Sequence, residues 1–195
     1  MQEISFDDIK RLQRGEKQVF NSVIRIYKNL VAGLCMKYMR NTQEAEDMAQ
    51  EVFALAYGAI DKFQFKSKLS TWLYRMTVNH CINKLKSIKR RRLINPETGP
   101  QEDEEATSEI EAVADKSRRA DEELELRELK EIVLKELESF DEIERTLIIL
   151  LDMEGLSVEE ISEVLKMPVG SVKSKSARTR RKLAKKVQHR LRGKI

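Results

Sequence analysis

The stretch from Leu156 to Ser174 constrains the fold of this chain more than any other. Within it, Ser157 is followed three residues later by Glu160, which is the spacing of a capping box at the start of a helix. Apolar residues then recur at helical spacing as far as Pro168, which cannot continue a helix but suits the beginning of a new one. The stretch therefore predicts two short helices joined by a tight turn.

The helix predicted after this turn continues into a strongly basic end of the chain. No acidic residue follows Glu163, whereas Lys and Arg residues recur from Lys166 to Lys194. The major groove of DNA admits an α-helix, and cations on such a helix lie among the phosphates. A basic helix that is merely a solvated face is the alternative, but it does not explain the turn chemistry and the one-sided charge together. DNA binding is therefore the favoured interpretation.

Charge is segregated along the chain, although the formal net charge is only +4. Lys and Arg residues cluster at 84–92 and again after 166, while acidic residues dominate 102–115. Two basic modules on either side of an acidic connector indicate a polyanion that is bound at two places.

Cysteine and histidine usage exclude several classes of protein. Cys35 and Cys81 each lie in an apolar helical pattern, which predicts small buried thiols in a cytosolic protein without disulfides. His80 and His189 are too few and too scattered for a metal site, so neither a metal nor another cofactor is expected. No apolar run approaches the ~20 residues that a membrane span needs, and the N-terminus does not resemble a signal peptide. A soluble cytoplasmic protein without direct membrane insertion is predicted.

Helical periodicity covers almost everything before residue 93 and predicts four helices, over residues 5–15, 16–40, 41–58 and 68–92. Helix-capping pairs at Ser5 and at Asn41 support two of these starts. The fourth helix is predicted to bury Leu69, Leu73, Met76, Ile82 and Leu85. Four helices packed together make a compact domain, which is predicted over residues 1–92.

The periodic pattern fails over residues 93–123, where Pro, Gly and acidic residues leave too little apolar surface to offset the entropy of ordering. This segment is predicted to be a flexible acidic linker. A second helical domain is predicted over residues 124–195, with a helix capped by Asp141 ahead of the helix-turn-helix. Its first helix is predicted to bury Leu126, Leu129, Ile132, Val133 and Leu137. The predicted fold class is all-α, with two helical domains joined by the linker.

Three segments, in this order, resemble the extracytoplasmic-function (ECF) group of the sigma-70 family of bacterial RNA polymerase sigma factors. Asn41–Tyr57 is similar to the signature helix of the family, Leu69–Asn79 to its promoter-melting segment, and Leu156–Leu183 to the helix-turn-helix that reads the −35 element. The resemblance covers nearly all of residues 16–188 apart from the linker.

The resemblance implies a sigma2-like first domain, which docks on a coiled coil of RNA polymerase β′ and opens the −10 element. It implies a sigma4-like second domain, which binds the −35 element and the polymerase β flap. The protein would then be a transcription initiation factor without catalysis of its own. A cognate anti-sigma factor is also implied, and a membrane-bound one would hold the protein at the inner face of the membrane.

The family pattern assigns candidate residues position by position. The polymerase-binding candidates are Glu44, Asp47, Gln50, Glu51 and Phe53. The candidates for recognition and opening of the −10 element are Phe63, Phe65, Ser67, Lys68, Ser70, Thr71, Trp72, Tyr74, Asn79, Asn83 and Lys86. The candidates for −35 DNA are Gly170, Ser171, Lys173, Ser174, Lys175 and Arg178.

Simpler interpretations stand beside these assignments. The carboxylates of the docking candidates are alternatively a solvated helix face, and Trp72 is alternatively a core residue. The cations from Arg180 to Lys186 are predicted to face phosphates or solvent. Two positions depart from the family pattern: Lys166 replaces a frequent glycine in the turn, and Ser176 replaces an apolar residue. They predict an altered turn and a weakened packing contact.

Two other functions are open to a chain of this kind. A stand-alone regulator with a LuxR-like C-terminal domain would bind paired half-sites as a dimer, but the aromatic segment 63–74 argues against it. A DNA-modifying enzyme would need catalytic groups, and the sequence has no Gly-rich phosphate loop and no clear nucleophile–base pair. Asp47 and Glu51 on one helix face are a conceivable Mg²⁺ site, without a further carboxylate cluster to support them.

Overall fold

The computed structural model describes residues 3–39, 41–94 and 118–192, with side chains from residue 126 onwards in the last range. Every regular element in these ranges is helical. The chain divides into two compact units, Met1–Thr107 and Ser108–Ile195. The predicted all-α class with two helical domains is therefore confirmed, whereas residues 95–117 of the predicted linker lie outside the described residues. None of the described helices is long and apolar enough to cross a membrane.

The described residues of the first unit form four α-helices and two 3₁₀ turns, one before the second helix and one after the third. The helices are α1 (Phe6–Gln13), α2 (Phe20–Met39), α3 (Thr42–Ala59) and α4 (Leu69–Ile94), with 3₁₀ turns at Lys17–Val19 and Ile60–Lys62. The predicted caps are present, because Ser5 accepts a hydrogen bond from the Asp8 N–H and Asn41 accepts one from the Glu44 N–H. The third helix was predicted to stop at Gly58 and ends one residue later at Ala59, where the 3₁₀ turn Ile60–Lys62 takes over.

The core of the first unit is built from α2, α3 and α4. Tyr27, Leu34 and Cys35 of α2 are almost fully buried, as are Met48 and Val52 of α3. Cys35 and Cys81 are buried free thiols, as predicted, and their Sγ atoms lie 4.0 Å apart. The two thiols thus join α2 to α4 at the centre of the unit.

The buried stripe of α4 differs in part from the prediction. Leu69 and Leu73 are buried, but Met76, Ile82 and Leu85 are only partly buried. Thr77, Val78 and Cys81 occupy the core instead. Thr77 tolerates burial because its hydroxyl donates a hydrogen bond of 2.8 Å to the Leu73 carbonyl, so the polar group keeps a partner.

The second unit comprises α5 (Arg118–Leu137), α6 (Glu142–Ile148), a π-helical turn (Ile149–Met153), α7 (Val158–Leu165) and α8 (Val169–Arg192). Its core contains Leu137, Leu147, Ile148, Ile149, Leu150 and Ile161. Helix α5 begins earlier than predicted, and α4 ends later, so both extend into the segment 93–123.

Leu126 and Leu129 of α5 were predicted to be buried, and this is wrong. Leu126 and Leu129 are exposed, whereas Ile132, Leu134 and Leu137 are buried. Hydrogen bonds from Lys186 to Ser139 and from Arg190 to Glu136 show that α5 and α8 run antiparallel. Helix α8 therefore ends close to Ile132, and the earlier part of α5 extends beyond it.

The helix-turn-helix forms as predicted. Ser157 and Glu160 make both hydrogen bonds of the capping box at the start of α7. Lys166 ends α7 in the left-handed conformation, with φ of 52°, so the turn keeps the geometry that favours glycine although a lysine occupies it. The carbonyl of Pro168 then accepts hydrogen bonds from the N–H groups of Ser171 and Val172 at the start of α8.

Candidate functional site

Helix α8 presents one face to its own unit and the opposite face to solvent. Val172, Ser176 and Thr179 are buried against the rest of the unit. The hydroxyl of Ser176 donates to the carbonyls of Val172 and Lys173, so this position is satisfied although it lacks an apolar side chain. The exposed face is the outer stripe, which we define as Gly170, Ser171, Lys173, Ser174, Ala177, Arg178 and Arg181.

Cations on the flanks of α8 are paired with carboxylates of their own unit. The pairs are Lys175 with Asp141 at 3.4 Å, Lys182 with Glu144 at 2.8 Å, Arg190 with Glu136 at 2.6 Å, and Arg180 with Asp152. The ammonium groups of Lys182 and Lys186 also lie over the ring of Phe140. Much of the positive charge that the sequence shows in this helix is therefore paired within its own unit.

Two arginines of the outer stripe hydrogen-bond to backbone carbonyls of their own helix. Arg178 and Arg181 donate from Nε to the carbonyls of Ser174 and Ala177 in their own helix, and both are exposed. Arg178 and Arg181 share one face of the helix, because they are three residues apart, and each guanidinium keeps further donors besides Nε. The sequence assigned Arg178 to DNA but left Arg181 among phosphate-facing or solvated cations. Helical spacing from Arg178 was the signal that could have selected it.

Lys175 was also assigned to DNA, and the structure places it beside Asp141, the N-cap of α6. Burial acts to raise the pKa of Asp141, but the hydrogen bond from the Glu144 N–H and the charge of Lys175 outweigh it and lower the pKa. Asp141 is thus ionised at neutral pH, and its attraction for Lys175 weakens only when the pH falls through that lowered pKa. Contact of Lys175 with DNA stays a prediction, and it would compete with this pair.

The candidates for the −10 element separate into two groups. Five of them are buried in the first unit: Phe63, Ser70, Thr71, Trp72 and Tyr74. The rings of Phe63 and Trp72 meet edge to face at 5.5 Å, and Trp72 is only 9% exposed. This burial supports the interpretation of Trp72 as a core residue.

The other candidates lie at the surface. Phe65 and Ser67 are half-buried, and Lys68 is exposed with its ammonium 3.9 Å from Glu3. On α4 the exposed side chains of Asn79, Asn83 and Lys86 follow one another at helical spacing. The structure thus brings an amide-rich helix face and a surface aromatic ring into the same unit.

The candidates for polymerase binding lie on the outer face of α3. Glu44, Asp47, Gln50 and Glu51 are exposed, and Phe53 is half-buried. The Glu51 carboxylate is also 2.6 Å from Nε2 of His80 on α4. Sequence reasoning missed Leu55, which is 48% exposed one turn beyond Glu51. An exposed leucine beside carboxylates is a pattern typical of a protein interface.

A metal centre finds no support in the part of the chain that the structure describes. No group of three or more His, Cys, Asp or Glu side chains there is arranged to hold an ion. Asp47 and Glu51 are therefore without the further ligand that a Mg²⁺ site would require.

The fold and these surfaces define a two-unit helical protein with a helix-turn-helix whose second helix exposes cations. Family models for Sigma-70 region 2 and Sigma-70 region 4 match residues 23–92 and 130–183. The chain belongs to the ECF group of sigma-70 family RNA polymerase sigma factors.

The similarity to characterised relatives extends over almost the whole chain. The chain is 35% identical to the ECF RNA polymerase sigma factor SigW of Bacillus subtilis, over 92% of this chain and 95% of that protein. It is 36% identical to the ECF RNA polymerase sigma-E factor of Escherichia coli K12, over 92% of each. Its fold resembles that of the sigma factor RpoE from Bartonella quintana, with a TM-score of 0.64 and 20% identity over 87% of this chain and 96% of that one.

Proposed function

We propose that the two units divide the work of a promoter-specificity subunit of RNA polymerase: the first docks on the core enzyme and opens the −10 element, and the second binds the −35 element. The observation that carries this proposal is that matches to region 2 and region 4 occur in one chain and in this order. They also favour a sigma factor over a stand-alone regulator, because the similarity includes the first unit.

The second unit binds duplex DNA through the outer stripe of α8. Gly170 and Ser171 lie in the first turn, where the positive end of the helix dipole favours a phosphate, while the Ser171 N–H itself donates to the Pro168 carbonyl. Lys173, Arg178 and Arg181 follow along the same exposed face and reach base edges or phosphates in the major groove. The flank cations of α8 are paired with carboxylates of their own unit, so the outer stripe supplies the positive charge that faces the DNA.

The first unit captures unpaired bases. Stacking on an aromatic ring contributes about 1–3 kcal/mol per base, which is comparable to the few kcal/mol that unpairing costs. Phe65 is the half-buried ring available for this, and Asn79 and Asn83 offer amide donors and acceptors on the exposed face of α4. Phe63 and Trp72 act from the core by supporting the segment that carries Phe65.

Docking on the core enzyme uses the exposed face of α3. Asp47, Glu51 and Leu55 follow one another at intervals of four residues and form an acidic stripe with an apolar end. Carboxylates on this face select a basic partner and its orientation, and the leucine supplies apolar area that becomes buried.

The function requires no catalysis by this chain, since binding energy alone shifts the equilibrium between paired and unpaired DNA. The protein acts in the cytoplasm, where RNA polymerase is found. Control by an anti-sigma factor is part of the proposal. It is supported by two structures of similar fold, CnrH with the cytosolic domain of CnrY and RpoE with the anti-sigma factor NepR.

Substituting the acidic stripe tests the docking step. We expect Asp47→Ala with Leu55→Ala to weaken binding of core RNA polymerase by about tenfold or more, because truncated anchors at an interface cost more than about 1 kcal/mol. Asp47 is the better acidic target, since Glu51 also contacts His80. Titrating the labelled full-length protein with core enzyme measures the change.

The matched control removes an acid and an exposed leucine from the first unit outside α3, Asp7→Ala with Leu93→Ala. The affinity of this control for core RNA polymerase is expected to stay within about twofold of the wild-type value, because surface substitutions outside an interface change little. Equal affinities for the wild type and the Asp47/Leu55 variant would reject docking through α3.

A further inference from the structure

Helix α1 lies outside residues 23–92, which the region 2 family model matches, yet it is tied into the first unit. Ile9 and Leu12 bury their side chains, and Gly15 ends the helix with φ of 96°. Ahead of the helix, the Ile4 N–H donates to the hydroxyl of Tyr27 at 3.4 Å. The segment ahead of the helix is therefore anchored on α2, and the helix itself packs on the 3₁₀ turns Lys17–Val19 and Ile60–Lys62.

From this anchored position α1 reaches the segment between α3 and α4. The side-chain Nε2 of Gln13 donates to the carbonyl of Ile60 at 3.1 Å and to the carbonyl of Phe63 at 2.8 Å. These two carbonyls stand at the start of the 3₁₀ turn Ile60–Lys62 and directly after it. Both N–H donors of one carboxamide are thus used to hold the ends of this turn.

The same helix contacts Phe65, just beyond the turn. Phe65 has φ of 56°, a left-handed conformation that is unfavourable for a side chain with a Cβ atom. Its ring lies 4.5 Å from the ring of Phe6 and 5.0 Å from that of Phe63. The Lys10 ammonium is 4.8 Å from the Phe65 ring. Contacts from α1 therefore help to hold Phe65 in a conformation that it would not adopt by itself.

We infer that α1 is a brace that sets the segment 60–65 in the conformation that receives an unpaired base of the −10 element, with Gln13 as its positioning residue. The inference rests on the proposed function of the first unit. Gln13 touches no DNA in this scheme; it acts through the backbone that carries Phe63 and Phe65. Phe6 is 62% exposed, so the brace also extends the aromatic surface around Phe65.

Gln13→Glu is the test substitution, because it preserves the shape of the side chain, removes both donors and sets a carboxylate against two carbonyls. Gln18→Glu is the matched control, since Gln18 is exposed and the substitution changes the charge equally. Gln13→Lys restores a donor. The DNA is a promoter selected by the wild-type holoenzyme from a randomised library, with 2-aminopurine in its −10 element. Fluorescence of 2-aminopurine reports opening, while footprinting at −35, core affinity and thermal unfolding are measured in parallel.

We expect Gln13→Glu to lower the opening equilibrium about tenfold, the factor that corresponds to roughly one net hydrogen bond. For Gln13→Glu, the affinity for core RNA polymerase and the −35 protection are expected to stay within about twofold of wild type. For Gln18→Glu, promoter opening is expected to stay within the same range. Gln13→Lys recovers most of the loss. If the Gln13→Glu variant opens the promoter as well as the wild type does, the inference is overturned. It is also overturned if opening, binding of core RNA polymerase and −35 protection all fall equally, because a general loss of folding produces that result. If the wild-type holoenzyme selects and opens no promoter, the proposed function itself fails.

Discussion

Removing the two outward arginines of α8, by Arg178→Ala with Arg181→Ala, is expected to weaken binding of a −35 duplex about hundredfold. Both side chains are exposed on the outer stripe and hydrogen-bond to carbonyls of their own helix. Each contact of such a cation with a base edge is worth roughly 1–3 kcal/mol, and two of them correspond to about two powers of ten. Fluorescence anisotropy of a labelled duplex at several salt concentrations measures the loss.

The salt dependence adds a second readout. The slope of log K against log salt should fall by about 0.9 for each phosphate contact that is lost. The control variant, Arg180→Ala with Lys182→Ala, removes the same charge from cations that are paired with Asp152 and Glu144. If both double variants lose equal affinity, general charge binds the DNA and the outer stripe has no special role.

Trp72→Ala is expected to reduce the free energy of unfolding of the first unit by about 3–5 kcal/mol, since truncating a large buried aromatic leaves a cavity. Trp72 is 9% exposed and packs edge to face on Phe63, so the loss includes an aromatic contact. Such a loss is a large share of the roughly 5–15 kcal/mol that stabilises a typical protein. Because Trp72 is the single tryptophan, urea unfolding followed by circular dichroism is the suitable measurement.

Asn79→Ala separates stability from DNA contact on the same helix. Asn79 is exposed on α4, so this variant is expected to unfold like the wild type within about 0.5 kcal/mol and yet to open promoters less well. A Trp72→Ala protein that keeps wild-type stability but fails to open promoters would show that Trp72 serves as a base contact and not as core.

The parts of the fold that the sequence predicted best depend on neighbours in the chain. Ser5, Asn41, Asp141 and Ser157 all cap helices as their spacing predicted, because the donor lies three residues away. The tight turn ahead of Pro168 was likewise located by local chemistry, whereas the altered turn expected from Lys166 is not seen, because Lys166 itself adopts the left-handed conformation that favours glycine.

The features that escaped prediction depend on residues far apart in the chain. Lys175 and Arg181 look alike in sequence, and only the position of Asp141 on another helix distinguishes the paired cation from the outward one. Likewise, Leu126 is exposed because α8 ends before reaching it. The contact of Gln13 with Phe63 spans 50 residues and leaves no local signal.

Transcription by core RNA polymerase on a randomised promoter library tests the central claim most directly. With this protein added, the account predicts transcripts from promoters that share two separate sequence elements, and their loss when the Arg178/Arg181 variant replaces the wild type. Core enzyme that gains no promoter-specific transcription from the added protein would contradict the account.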